Sequence, residues 1–574
     1  MIIQKEGNFK MMNNYKKTFL KSHGVTKENY HDKLFMTEDE IPSASKMKNA
    51  TAFTKELVKL LTAKKRICIY GDYDTDGVTA TIVMIRGLHA ISKSLTGSKG
   101  KISYWINDRF EDGYGITSHA VDQILKRNPK LDAIITVDNG MVAFDAIQHA
   151  VDRGLEVLVT DHHKGLKQLP AAKVIVDPSQ IGETYPFKDI CGCTVAYKLL
   201  LLTASKYAPD TVDEIKKLVD FVGLSVVSDV MPMLYENRVY VKKALKIFNR
   251  QDPAIPLRFG WFALMERLYA IKKLRKDHDI NETDFGFIFS PIINAQSRVE
   301  GKANIGVDLF LSEDTNDVRE KAKYMIETNE NRKEISNAAF DEVNETINPK
   351  QSIIIVRDDD IGEGIIGLLG SKITDLYNRP SIVVTAIGDG KLKGSARSIV
   401  NVDITDTLRE INQDGKYMSA LGGHSGAAGM TFIADNFDEF KAKAIKAFDK
   451  LVPADLSATV KPDLVIDNHD LTLGLIKDFQ KLAPFGESFE FPNIQVTKMP
   501  IDKVKLMGKD KTHIKIVTET GVDVIAWGSA DKFKSDAMTH KYANVIANPQ
   551  INNFMGHESL QLVIVKDEMT FSNE

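Results

Sequence analysis

Three short apolar runs in the first half of the chain each stop at an acidic residue. Arg66-Ile67-Cys68-Ile69-Tyr70 runs into Gly71-Asp72-Tyr73-Asp74-Thr75-Asp76-Gly77. Ala133-Ile134-Ile135-Thr136-Val137 runs into Asp138-Asn139-Gly140, and Glu156-Val157-Leu158-Val159-Thr160 into Asp161-His162-His163. Amphipathic helical stretches separate the runs, which is the pattern of a parallel α/β sheet. Successive strands of such a sheet end on one edge, and ligands bind in the crevice beside it. The spacing therefore predicts that Asp72, Asp74, Asp76, Asp138, Asp161, His162 and His163 meet in one place. A fourth contribution, Ser228-Asp229-Val230-Met231-Pro232, follows an apolar helix-like run.

So many carboxylates cannot sit together ionised without cations, because like charges at close range repel strongly. Metal ions resolve the conflict, and carboxylates with one or two imidazoles suit Mn²⁺ or Mg²⁺ better than a thiolate site would. A Lys or Arg network would also neutralise the cluster, but Lys164 is the only base close to these loops in sequence. Each piece has a plainer reading by itself: a lone Asp at a strand end is usually a turn or a helix N-cap. Their joint placement favours metal.

A chain of 574 residues is too long for one core. Residues 1–60 are mixed and polar and are expected to be helical; residues 61–310 carry the α/β pattern. In residues 311–350 Val318, Ala322, Met325, Ile335 and Ala339 share a helical face until Pro349, as a connecting helix would. A second α/β unit, 351–452, opens at Ser352-Ile353-Ile354-Ile355-Val356. Residues 453–574 hold short strand-like runs (Ile514-Lys515-Ile516-Val517, Val524-Ile525-Ala526-Trp527, Leu560-Gln561-Leu562-Val563-Ile564-Val565) and read as a small all-β barrel.

The three cysteines, Cys68, Cys191 and Cys193, cannot form a disulfide framework, so a reducing, cytoplasmic setting is expected. Cys191-Gly192-Cys193 is spaced too closely for a metal pair and reads as a helix start. No apolar run is long enough to span a bilayer, and Met1-Ile2-Ile3-Gln4-Lys5-Glu6 does not open a secretory signal. The net charge of −3 neither announces nor excludes a nucleic-acid binder, since metal-binding carboxylates offset a local basic groove.

The acidic motifs resemble those of the DHH phosphoesterase superfamily, whose triplet is matched by Asp161-His162-His163, and within it the RecJ exonuclease family. Gly71 to Gly77 is similar to the family's first motif and Ser228 to Pro232 to its fourth. Arg109-Phe110-Glu111-Asp112-Gly113-Tyr114-Gly115 and Phe289-Ser290-Pro291-Ile292-Ile293-Asn294-Ala295-Gln296-Ser297-Arg298 resemble further RecJ segments. Gly394-Ser395-Ala396-Arg397-Ser398 and Gly422-Gly423-His424-Ser425-Gly426-Ala427-Ala428-Gly429 are similar to the DHH-associated domain, and Pro484-Phe485-Gly486 to the entry of the OB-fold. The resemblance runs from about residue 15 to 570. Four positions depart from the pattern: Tyr70, where many relatives have His; Ile292, where a basic residue is usual; and the pair Gln296-Ser297. They bear on substrate contact and leave the metal motifs intact.

The resemblance implies a parallel-sheet DHH domain and a second α/β DHH-associated domain joined by a long helix, with a C-terminal OB-fold β-barrel. It implies a two-metal exonuclease releasing 5′-mononucleotides from single-stranded DNA in recombination and repair. The two cations are expected roughly 3.5–4 Å apart. Asp138 would bridge them, Asp76, His162 and Asp229 would complete one site, and Asp74 would lead the other with Asp72 near it. His163 would contact the scissile phosphate or assist the leaving group, while Asp161 orients an imidazole. Arg298, Ser395 and Arg397 would hold the 5′-terminal phosphate, with Arg109 nearby and His424 facing the metals across the cleft.

From the residues alone, Gly394 to Ser398 offers close backbone approach and a guanidinium for phosphate, or a simple turn before a helix. Gly422 to Gly429 offers an anion cradle or helix–sheet packing. Nine lysines against six acids between Lys498 and Lys541, interleaved with Trp527, Phe533, Tyr542 and, further on, Phe554, fit single-strand binding or an ordinary barrel. A monomer is expected, acting with a helicase and a single-strand-binding protein. The chain ends where the OB-fold should end, so contacts made by the further C-terminal domain of larger relatives are not expected. Two other functions compete: a hydrolase of short oligonucleotides or cyclic dinucleotides, and a non-catalytic single-strand-binding scaffold. The first lacks support because such relatives are shorter, and the second because every metal-ligand type is present.

Overall fold

The computed structural model describes residues 12–165, 168–452, 460–554 and 557–574. The Met1–Glu6 start and the side chain of Phe554 lie outside them. Two compact units form. One contains residues 42–231 and 240–452, the other residues 12–41, 232–239 and 460–574. No helix among the described residues is long and apolar enough to cross a membrane.

The first sheet of the larger unit is wholly parallel, in the order β2-β1-β3-β4-β5. Its strands are β1 (Arg66–Gly71), β2 (Lys101–Ile106), β3 (Ala133–Val137), β4 (Glu156–Thr160) and β5 (Val174–Val176). β1, β3 and β4 are buried almost throughout, as parallel strands covered on both faces must be. β2 and β5 were not evident from the sequence. β2 is half exposed and carries Lys101 and Ser103, and β5 has only three residues.

Register aligns the strand ends. Ile106 pairs with Gly71, Gly71 with Val137, Val137 with Thr160, and Thr160 with Val176. The residues that follow, Asn107, Asp72, Asp138, Asp161 and Asp177, therefore form one row along the edge. The strand order reverses direction between β1 and β3, the point where open α/β sheets bind ligands, and that places Asp72 and Asp138 on either side of it.

A helix of 30 residues, Thr315–Asn344, connects this domain to the next. Val318, Ala322, Met325 and Ile326 are its buried face, followed by Phe340 and Val343. The second sheet has the order β6-β7-β8-β10-β9, from β6 (Ile354–Arg357), β7 (Ser381–Gly388), β8 (Lys391–Arg397), β9 (Met418–His424) and β10 (Ala427–Ile433). Gly394-Ser395-Ala396-Arg397 is thus a strand segment rather than a turn before a helix. A Cβ on Gly394 would sit 2.7 Å from Phe432, so packing within the sheet requires the glycine. Gly422 to Gly429 is a hairpin between β9 and β10, with Gly429 paired to Gly422.

In the smaller unit β12 (Ile494–Met507), β13 (His513–Thr518), β14 (Asp523–Ala526), β16 (His557–Ser572) and β15 (Tyr542–Phe554) pair in that order, and β12 closes on β15. The result is a five-stranded barrel, with β11 (Leu464–Ile466) added alongside β12. Of its aromatics, Phe533 is buried whereas Trp527 is 56% exposed, edge-on to His513 at 5.1 Å. In the same unit the buried Arg238 guanidinium donates to the carbonyls of Leu34, Leu482 and Pro484.

Candidate metal centre

At the edge of the first sheet five predicted residues come together. The ligand atoms of Asp76, His162 and Asp229 lie within 4.8 Å of one another, as do those of Asp138, His162 and His163. His162 Nε2 stands 3.1 Å from Asp138 Oδ1, 3.5 Å from Asp229 Oδ2 and 3.6 Å from Asp76 Oδ2. Asp138 Oδ1, His162 Nε2, Asp229 Oδ2 and Asp72 Oδ1 are buried without a hydrogen-bond partner. Buried polar atoms are normally paired. A set of unpaired oxygens and an imidazole nitrogen aimed at one another is what a hard or borderline divalent cation requires.

Local structure holds each group in place. Asp138 has φ 61, a left-handed conformation that Asp adopts more readily than most residues; it turns the chain just past β3. Asp76 accepts from the amides of Gly192 at 2.6 Å and Cys193 at 2.9 Å, and from the Ser225 hydroxyl. Those amides open helix Gly192–Tyr207, as Cys191-Gly192-Cys193 suggested, and their positive end favours the carboxylate. A Cβ on Gly192 would come 2.6 Å from the Asp138 Cβ, so only glycine lets this helix approach. Asp229 caps the C-terminus of the apolar helix Val219–Ser228.

Asp74 is the N-cap of helix Thr75–Thr96, accepting from Gly77 N at 3.0 Å. Neither it nor Asp72 shares the two ligand groups above. Asp161 belongs to neither ligand group and is held by the residues beside it. Its Oδ2 accepts from Met141 N at 2.9 Å, and its Oδ1 accepts from His162 N at 2.7 Å and lies 2.8 Å from His163 Nδ1.

The electrostatics follow from burial and crowding. Burial first, then repulsion from Asp74, holds Asp72 well above the usual carboxylate range. Asp138 is raised by burial and by Asp76 and Asp74. Asp229 is raised by burial, Asp76 and Asp74. His162 is lowered, chiefly by burial. Burial opposes the charged form of His163, but the Asp161 hydrogen bond and the charges of Asp161, Asp229 and Asp74 outweigh it and raise the imidazole to about 9. Asp177, which closes the strand-end row and was not singled out from the sequence, is pushed up to about 7 by burial and by Asp161.

A second cluster is cationic. Arg298 feels Arg109, Arg332 and Arg397, and burial followed by these neighbours lowers it to about 9. Arg397, at the end of β8, donates to Ser395 Oγ at 3.0 Å, Ser371 Oγ at 3.0 Å and the Ala396 carbonyl at 2.7 Å. Gly367 is close enough that a Cβ would meet Arg397 at 2.9 Å. Arg109 stacks on Tyr73, 4.9 Å from the ring centre. The charges of Asp72, Asp74, Arg109 and Arg298 all act on Tyr73, so the two clusters meet there. Ser371 and Arg332 had no signal in the sequence, being a polar helix residue and one charge among many on the connecting helix. His424 is exposed at the end of β9, its Nδ1 accepting from Gly426 N at 3.2 Å; no described hydrogen bond joins it to the acidic cluster.

Comparison with known proteins agrees with this organisation. The DHH family N-terminal domain matches residues 66–224, the DHHA1 domain residues 350–450, and the RecJ OB domain residues 462–566. The chain is 30% identical over 527 residues to the single-stranded-DNA-specific exonuclease RecJ of Bacillus subtilis, covering 90% of this chain and 63% of that protein. It is 28% identical over 528 residues to the Haemophilus influenzae protein of the same name, covering 88% of each. Its fold matches the crystal structure of Thermus thermophilus RecJ in complex with Mn²⁺ with a TM-score of 0.76 at 22% identity, covering 96% of this chain and 75% of that one. The chain thus carries matches to the DHH, DHHA1 and RecJ OB domains in this order and resembles the RecJ single-stranded-DNA-specific exonucleases over most of its length.

Proposed function

We propose that the protein is a metal-dependent exonuclease that degrades single-stranded DNA from its 5′ end, releasing 5′-mononucleotides, in recombination and repair. The observation that carries this reading is the meeting of three buried, unpartnered ligand atoms, Asp138 Oδ1, His162 Nε2 and Asp229 Oδ2. The relatives named above, single-stranded-DNA-specific exonucleases, support it.

Asp76, Asp138, His162 and Asp229 would hold one Mn²⁺ or Mg²⁺, and Asp138 with Asp74 and Asp72 the other. Bound there, the cations supply Lewis acidity and lower the pKa of water to make a nucleophile at neutral pH. The chain's own groups do the rest. The helix amides at Gly192 and Cys193 fix the Asp76 carboxylate. Asp161 accepts from His163 Nδ1–H, which fixes the ring orientation and favours the protonated imidazole. His163 is then placed to contact the scissile phosphate or to protonate the leaving oxygen. Arg298, Arg397 and Ser395, with Arg109, hold a 5′-terminal phosphate, because a guanidinium fork matches phosphate geometry. Exposed Trp527 on the barrel offers a stacking face for a base.

Single-stranded DNA labelled at either end, digested with Mn²⁺, Mg²⁺ or chelator, tests the reading. Early release of the 5′ label as mononucleotide, only with metal, is expected. Release of the 3′ label first would overturn the polarity. Cleavage of only very short oligomers or cyclic dinucleotides would replace the substrate. Binding of single strands without hydrolysis in either metal would make the protein a scaffold.

A further inference from the structure

The motif departure at position 70 is structurally accounted for. Tyr70 and Asn107 are both 0% exposed, one at the end of β1 and the other just past β2. The Tyr70 hydroxyl donates to Asn107 Oδ1. The Asn107 amide nitrogen donates to the carbonyls of Gly113, at 3.1 Å, and Gly115. Because the phenol must donate and the carbonyls must accept, the amide has one orientation, and it ties the far end of the 108–115 loop to its beginning. Asn139, next to Asp138, donates to the Tyr70 carbonyl at 3.2 Å, so the clamp is joined to β3 as well.

The loop carries two groups into the site. Arg109 lies over Tyr73, and its amide donates to the Gly301 carbonyl at 2.7 Å. The Tyr114 hydroxyl lies 3.1 Å from His163 Nε2 and 2.9 Å from Nδ1. The Tyr114 hydroxyl thus contacts the same imidazole that Asp161 orients, giving an Asp161–His163–Tyr114 chain.

We propose that Tyr70 is a positioning residue that acts through Asn107: it sets the 108–115 loop so that Tyr114 holds His163 and Arg109 holds its place over Tyr73. Tyr70 touches no reacting group itself. The inference rests on the reading above only in taking His163 and Arg109 as working parts of an exonuclease. Phenylalanine at position 70 removes the donor and leaves the Asn107 oxygen buried without a partner, which weakens the clamp by the cost of an unpaired buried acceptor.

Two measurements on the full chain test this. Hydrogen exchange needs no activity. Tyr70→Phe is expected to speed exchange in residues 109–115 while the β1 and β3 amides stay protected; unchanged loop exchange would overturn the clamp. If Tyr70→Phe does not fold, Asn107→Ser is used in its place with the same expectations. Steady-state digestion of 5′-phosphorylated single strands in Mn²⁺ then reads the consequence. Tyr70→Phe and Tyr114→Phe are each expected to lower kcat about 10- to 100-fold, as small misplacements of catalytic groups do, without changing the Mn²⁺ concentration for half-activity. The double variant should be no slower than the slower single, since both act through His163. Multiplying losses, or a Tyr70→Phe kcat equal to the unsubstituted protein's, would overturn the proposal. An inactive unsubstituted protein would instead reject the exonuclease reading, with the exchange result still deciding the clamp.

Discussion

His162 Nε2 and Asp138 Oδ1 lie 3.1 Å apart, buried, and neither makes a hydrogen bond. Around them Asp72, Asp74, Asp76 and Asp229 add negative charge, and burial and mutual repulsion raise Asp72, Asp74, Asp138 and Asp229. The site therefore opposes folding until cations compensate it, and several consequences can be measured.

Asp138→Asn should stabilise the chelated protein and destabilise the metal-loaded one. In chelator the substitution removes a buried like charge, worth about 1–3 kcal/mol, and Asn tolerates the left-handed backbone at this position as well as Asp does. With Mn²⁺ the ranking should reverse because ligand binding to the native state is lost. Thermal melts with and without Mn²⁺ check the reversal; the same ranking in both conditions would count against a metal cluster.

Gly192→Ala should abolish digestion while most of the fold persists. The added carbon would sit 2.6 Å from the Asp138 Cβ, pushing the helix start away from Asp76 and Asp138 together. A loss of at least about 100-fold in kcat/KM is expected, on the scale of misplaced catalytic groups, with the far-ultraviolet circular dichroism spectrum retained.

Asp177 gives the chelated protein a pH dependence. Its native carboxyl is raised from 3.8 to about 7, so between those values the folded state binds more protons than the unfolded state. Its contribution to stability is fully present below about pH 4 and is lost as pH rises through 7. Asp177→Asn should therefore flatten the fall in stability between about pH 4 and 7 and exceed the unsubstituted protein at pH 8 by about 1–3 kcal/mol. Denaturant unfolding across that range provides the comparison, and parallel curves would exclude the effect.

Arg397→Lys should erase the preference for a phosphorylated 5′ end. Lysine keeps the charge but loses the fork that reaches Ser395 and Ser371. The rate ratio between 5′-phosphate and 5′-hydroxyl strands is expected to fall by about tenfold, as for loss of one charge-assisted hydrogen bond. An unchanged ratio would move the terminal phosphate elsewhere.

The acidic edge was legible in the sequence because buried parallel strands are written as unbroken apolar runs, and β1, β3 and β4 each stop at an acid. The same logic hid Asp177: β5 has three residues, too few to stand out, so its terminal acid went unread. β2 escaped because an edge strand with one exposed face carries Lys101 and Ser103 among its apolar residues. Gly394 to Arg397 looked like turn material because small residues predominate, yet Gly394 is small to let Phe432 pack. The cationic cluster was legible in part. Arg109, Arg298 and Arg397 sit in recognisable motifs, whereas Arg332 and Ser371 are ordinary helix residues whose place beside Arg298 and Arg397 appears only when the helices pack.

Calorimetric titration of Mn²⁺ into the chelator-treated protein, with Asp138→Ala alongside, counts the cations the acidic cluster holds. Two bound Mn²⁺ per unsubstituted chain are expected, as a two-metal site requires, with loss of tight binding in Asp138→Ala. Binding that is absent from the unsubstituted protein, or identical in the two, would contradict the two-metal site.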